Sequence, residues 1–241
     1  MKAIILAAGV GKRLASTKDR PKCLIRLNGK TILDRYFESF EQLGITGAVI
    51  LVGHMKDKIV EEIGPEKNGI PVTYIDNEKY REGNIYTVHL ASSEFDDDIL
   101  MMDADVVYHP ELLRRLVKSP NPSSYLMDEG FIEENGEECK VAALGGRVVA
   151  NNRVITAEYD RIGEGLGFLK LSKPTAGVFR QIVQSFIDAG KVGNEYEDAL
   201  EELLGREAVG FEPTDGLPWC EIDFDEDVEK AQEIVNRLET E

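Results

Sequence analysis

A chain of 241 residues with 42% hydrophobic and 7% aromatic content is long enough to bury one α/β core, read as a single domain over residues 1–241. A formal charge of −17 repels nucleic-acid phosphates, and no apolar run approaches the ~20 residues of a bilayer span, so neither nucleic acid nor membrane is an expected partner. Cys23, Cys139 and Cys220 fit neither a disulfide framework nor a zinc pattern, and residues 1–6 lack the form of a signal peptide, which points to the cytoplasm.

Residues 2–8 read as a strand that runs into Gly9-Val10-Gly11-Lys12-Arg13. Ile32, Leu33, Tyr36, Phe37, Phe40 and Leu43 recur on one helical face over 32–43, with Gly44 as the stop. A buried strand follows at 48–53, a short helix at 56–63 and a strand at 72–75. Asn84 is placed to cap a helix reaching about residue 94. Another strand, 99–102, ends in Asp103-Ala104-Asp105, and Pro110 opens a helix to about 118. This strand–helix alternation predicts a Rossmann-like, mostly parallel mixed sheet flanked by helices.

After residue 120 the rhythm shortens. Segments 123–127, 139–144, 147–149 and 153–157 read as extra strands and hairpins beside the main sheet. Turns are expected at Glu129-Gly130, Asn135-Gly136 and Asn151-Asn152. A strand at 167–171, helices at about 175–189 and 196–204, a strand near 208–212, the segment Trp219 to Asp223 and a last helix from about 225 complete the chain.

Charge is unevenly spread. Residues 1–30 hold eight Lys or Arg and one acid, Asp19, a net of +7, whereas the remainder carries −24. The cationic density surrounds the glycine loop, where missing side chains let backbone N–H groups approach phosphate oxygens. Lys12, Arg13 and Lys22 suit an anion, Arg as a bidentate fork and Lys as a point charge. Two phosphate-loop templates fail: Arg13 stands where a P-loop needs Ser or Thr, and Leu14 replaces the third glycine of the dinucleotide fingerprint. Asp103 and Asp105, two apart at a strand's carboxyl end, are expected to share a face, as are Glu221 and Asp223. Carboxylates so placed could hold Mg²⁺ against substrate phosphates. His54, His89 and His109 share no motif that would support a hydrolase.

Leu6-Ala7-Ala8-Gly9-Val10-Gly11-Lys12-Arg13, then Pro21-Lys22, then Asp105 closing a strand together resemble the nucleotidyltransferase superfamily that makes activated sugars and alcohols from nucleoside triphosphates. Asn84-Ile85-Tyr86-Thr87, residues 163–168, Tyr196 to Leu200 and Trp219 to Asp223 are most similar to the small cytidylyltransferases acting on phosphocholine or 2-aminoethylphosphonate. The resemblance implies that Leu6, Ala8, Gly9, Gly11, Gly83 and Asn84 hold the nucleotide. It gives Arg13 and Lys22 the triphosphate and Asp105 and Asp223 the Mg²⁺, with Glu221 assisting. Expected partners are CTP and a small phosphorylated or phosphonate acceptor, and a homodimer stays open. Tyr86, Tyr159, Tyr196 and Trp219 are candidates for an aromatic cage around a quaternary ammonium. Glu164, Glu197, Asp198 and Glu221 are candidates to pair with a primary amine. Two alternatives remain: a sugar- or polyol-1-phosphate nucleotidyltransferase using CTP, UTP or dTTP, and a nucleotide-binding regulatory subunit without catalysis.

Overall fold

The computed structural model describes residues 1–14, 19–131 and 139–240. The expected turn at Asn135-Gly136 lies outside them. In chain order the strands and helices are β1 (Lys2–Ala7), β2 (Arg26–Leu27), β3 (Lys30–Thr31), α1 (Ile32–Leu43), β4 (Gly47–Val52), α2 (Lys56–Ile63), β5 (Glu66–Lys67), β6 (Ile70–Asp76), α3 (Asn84–Ala91), β7 (Ile99–Asp103), β8 (Val106–Tyr108) and α4 (Pro110–Lys118). The second half supplies β9 (Ser124–Asp128), β10 (Lys140–Leu144), β11 (Arg147–Asn152), β12 (Arg161–Leu171), α5 (Lys173–Asp188), α6 (Tyr196–Leu204), β13 (Gly210–Pro213), β14 (Trp219–Glu221) and α7 (Asp225–Leu238).

The main sheet runs β11-β10-β12-β7-β1-β4-β6-β5, with β9 joined to β12 and β13 to β9. Its centre is parallel: β1 lies between β4 and β7, Leu6 opposite Leu51 on one side and Asp103 on the other. The chain first winds outward from β1 through β4 and β6, then crosses back to lay β7 on β1's other flank. That reversal makes β1 the topological switch point, and the crevice beyond its carboxyl end is where open α/β sheets bind ligands.

Strand periodicity divides the core. Ala3, Ile5 and Ala7 point to the face covered by α1, α2, α4 and α7, and Ile4 joins the other, under α3, α5 and α6. Helix α1 begins at a reciprocal cap: Thr31 Oγ accepts from the Asp34 N–H at 2.9 Å, and the Asp34 carboxylate accepts from the Thr31 N–H at 2.7 Å. Gly44 ends it in the left-handed region (φ 70°).

The extra strands after residue 120 are present, β9 to β13 extending the main sheet as an antiparallel wing in which only β13 and β9 run parallel. Two expectations need correction. Asn151 and Asn152 are not a turn but the end of β11, and 153–157 form no strand. Asn151 is held in the strand by tertiary bonds: its side chain accepts from Cys139 Sγ at 3.0 Å and donates to Tyr125 Oη at 3.2 Å. Asn84 does not cap its own helix. Gly83 is the N-cap residue of α3, and the Asn84 side-chain Oδ1 accepts from the Tyr196 backbone N–H at the start of α6.

Candidate active site

The glycine loop leaves β1 at the switch point. Ala8 C=O accepts from the His54 N–H at 3.2 Å, tying the loop's first turn to the end of β4. Gly9 is exposed, with open space where a Cβ would stand. Gly11 adopts φ +61°, and a Cβ there would lie 3.1 Å from the Lys22 side chain. Glycine is thus needed at position 11 for two reasons, the backbone conformation and the passage of the Lys22 stem.

Lys22 opens a short 3₁₀ turn after Pro21 and carries its ammonium into a group of carboxylates. Its Nζ lies 3.1 Å from Asp105 Oδ2 and 2.6 Å from Asp223 Oδ1. Burial alone would lower this lysine's pKa, but the Asp105 charge and the hydrogen bond and charge of Asp223 outweigh it and raise the pKa above the ordinary value. Lys22 is therefore a firmly charged ammonium. Arg13 reaches the other Asp223 oxygen at 2.7 Å, with its guanidinium 5.0 Å from the centre of the Phe224 ring.

These partners are far apart in sequence, and a small hairpin-like pairing unites them. Strand β14 lies antiparallel to β8, with Glu221 opposite Val106, and the Ile222 N–H donates to Asp105 C=O at 3.0 Å. One ladder thus aligns Asp105 with residues 221–223. Both aspartates sit just past a strand end rather than within one. Strand period therefore does not put Asp103 and Asp105 on one face; the bend between β7 and β8 separates their roles. Asp105, Glu221 and Asp223 each bring a carboxylate oxygen within 4.8 Å of the others'. Burial, then the charges of Asp105 and Asp223, push the Glu221 carboxyl up to about 8, against the pull of Lys22. The like charges of Asp105 and Asp223 crowd the Glu221 carboxyl.

Two supports escaped the sequence reading. Tyr36, an apolar-stripe position of α1, places its hydroxyl 2.8 Å from Asp103 C=O and 3.0 Å from Val106 C=O, and accepts from the Val106 N–H at 3.2 Å. It braces the bend carrying Asp105 from below; a lone tyrosine among Ile, Leu and Phe was the available signal. Asp227 Oδ2 accepts from the backbone N–H groups of Asp223 and Phe224 at 3.1 and 2.8 Å. That anchor follows from an acid at the third position of α7.

Beside this cluster opens a cavity of about 970 Å³ whose lining includes Arg13, Glu221 and Asp223. Lys22, Asp105 and the glycines of the loop lie outside the lining. Of the expected acceptor residues, Glu164, Tyr196, Asp198, Trp219 and Glu221 line it, whereas Tyr86 and Tyr159 do not. Trp219 is oriented by its indole N–H, which donates to Asp128 Oδ2 at 2.8 Å, while Thr214 Oγ donates to Asp128 Oδ1 at 2.8 Å. Gly83 lies against protein: a Cβ there would be 2.1 Å from Asn194 C=O, so its glycine serves the packing of α3 on the turn before α6. Asn84 reaches the cavity wall.

A family model described as the MobA-like NTP transferase domain matches residues 3–143, more than half of the chain. The chain belongs to that nucleotidyltransferase family. A choline-phosphate cytidylyltransferase of Streptococcus pneumoniae is 29% identical over 98% of each chain. A CMP-5'-(3-aminopropyl)phosphonate synthase of Streptomyces rubellomurinus is 32% identical over 52% of this chain, the match covering 20% of that protein. Another curated relative is about twice as long, and the chain spans 51% of it. The solved inositol-1-phosphate CTP transferase of T. maritima superposes with a TM-score of 0.76 over 99% of this chain and 96% of that one; at 18% identity the likeness is one of fold. No described helix is long and apolar enough to cross a membrane.

Proposed function

We propose that the protein is a magnesium-dependent cytidylyltransferase that moves CMP from CTP to a small amino-alcohol phosphate or aminophosphonate and releases pyrophosphate. The observation that carries this reading is the convergence of Lys22 and Arg13 on Asp105 and Asp223 at the switch point. Arg13 and Lys22 would neutralise the triphosphate, and the loop backbone at Leu6, Ala8, Gly9 and Gly11 would lie along it, with Gly83 and Asn84 toward the nucleoside. Asp105, Asp223 and Glu221 would hold Mg²⁺; three carboxylate oxygens within reach of one another are a donor set suited to a hard cation. The ion would add positive charge against the α- and leaving phosphates.

The acceptor's phosphate or phosphonate oxygen is ionised near pH 7, so it attacks the α-phosphorus in line without a protein nucleophile. The new P–O bond forms as the bond to pyrophosphate breaks. This chain's residues then act by holding the two anions together and by charge complementary to the transition state. Free Cys23, Cys139 and Cys220 fit a reducing cytoplasm. The polyol-phosphate alternative draws support from the likeness of fold to an inositol-1-phosphate CTP transferase. Retention of Lys22, Asp105 and Asp223 speaks against a non-catalytic subunit.

The test is pyrophosphate release over a grid of the four nucleoside triphosphates and phosphocholine, phosphoethanolamine, 2-aminoethylphosphonate, inositol phosphate and glucose-1-phosphate. CTP with an amino acceptor should give the highest kcat/KM. A best rate with a sugar or polyol phosphate would favour the alternative, and no release with any pair would end the transferase reading.

A further inference from the structure

The inner end of the cavity differs from its mouth. Asp103, at the end of β7, and Glu197, in the first turn of α6, both line it. Glu197 Oε2 is sealed from bulk water and has no hydrogen-bond partner among the described residues. The fold makes room for the other carboxyl: Gly167 takes φ +71°, and a Cβ there would stand 2.1 Å from Asp103 Oδ2. No described lysine or arginine forms an ion pair with Asp103 or Glu197. Burial pushes the Glu197 carboxyl up to about 7, against a backbone hydrogen bond and Asn84 that pull it down. A buried carboxyl lacking a counter-charge costs free energy that an arriving cation removes.

Tyr125, Tyr196, Trp219 and Phe224 are the aromatic residues of the cavity lining, and Trp219 is held by its indole N–H on Asp128. Tyr86 stands outside the cavity with the Lys79 ammonium 4.9 Å from its ring centre, and Tyr159 is exposed elsewhere. The Phe224 face is taken by Arg13. Asn84, Asp103, Glu164 and Glu197 line the same wall as Tyr125 and Tyr196 and bring side-chain oxygens to it. An oxygen-rich wall suits a cation with N–H donors. A primary ammonium carries three, and a trimethylammonium carries none.

We infer that the inner end of this cavity binds the cationic end of the acceptor, that this end is an N–H-bearing ammonium, and that Glu197 is the residue that selects it. The inference rests on the transferase reading and narrows it to acceptors of the phosphoethanolamine or aminoalkylphosphonate class over phosphocholine.

The experiment compares wild-type kcat/KM for phosphoethanolamine and phosphocholine with CTP, then repeats the measurement on Glu197→Gln. Wild type should favour phosphoethanolamine by about tenfold or more, and Glu197→Gln should raise its KM by a similar factor while the KM for CTP stays within about twofold. A thermal melt checks that the variant folds, and the wild-type ratio reads the selectivity without any variant. Equal or better use of phosphocholine, a best rate with a polyol phosphate, or a Glu197→Gln effect confined to the KM for CTP would each overturn the inference and leave nucleotidyl transfer standing. No turnover with any acceptor would instead overturn the transferase reading.

Discussion

The two ends of the site solve opposite electrostatic problems. At the switch point, Lys22 and Arg13 are bonded to Asp105 and Asp223, so positive and negative charge are matched within the protein. At the inner end, Asp103 and Glu197 are carboxyls without a basic partner. The first end can be built and held before any ligand arrives. The second pays in stability until something positive fills it. Matched charge suits a region that must grip a polyanion by exchanging partners, whereas unmatched charge suits a region that must tell one small molecule from another.

The comparison can be broken most sharply at Lys22. Lys22→Ala should lower kcat by about 10²–10³-fold, because a preorganised charge on the transferring group is lost, while the thermal melt shows the sheet intact. Wild-type turnover would remove Lys22 from the reaction. Next, Asp223→Asn should move the Mg²⁺ titration of activity to higher concentration. An unchanged titration would detach the carboxylate cluster from metal binding. Gly167→Ala tests the other end: a Cβ at 2.1 Å from Asp103 Oδ2, on a left-handed backbone, should cost about 1–3 kcal/mol in stability, read by denaturant unfolding. A neutral result would mean that Asp103 moves aside freely.

The smallest effect concerns pH. Glu197 has its folded pKa raised from 4.5 to about 7, so its contribution to stability is fully present below about 4.5 and is lost as pH rises through about 7. Glu195, Asp198 and Asn84 face the same carboxyl and act on it in both directions. Between about pH 5 and 7.5, wild type should therefore lose a few degrees of Tm that Glu197→Gln keeps. Parallel Tm–pH curves for the two proteins would refute the buried charge.

Legibility in the sequence followed the range of the forces. Helix α1 is readable because its apolar stripe, its Thr31–Asp34 cap and Gly44 all lie within fifteen positions of one another. Helix α6 has the expected bounds for the same local reason. Residues 147–157 misled because the buried side of β11 and the bonds of Asn151 come from partners that local pattern does not contain. Asn84 has a cap's composition, yet its side chain serves the neighbouring helix α6. In the site, the glycine loop and Lys22 stood out by charge. Their meeting with Asp223 is set by the β8–β14 ladder, which no motif announces, so only the family resemblance pointed there. Tyr36 and Asp227 stayed hidden because a core tyrosine and a capping acid have ordinary structural readings.

The bond between Lys22 and Asp223 spans 201 positions. During synthesis, the amino-terminal strands can pair long before β14 leaves the ribosome, yet the carboxylate trio cannot exist until residue 223 has docked. Catalytic competence should therefore arrive in a single late step. A nascent chain halted before residue 219 would keep the glycine loop and Lys22 while lacking Glu221 and Asp223.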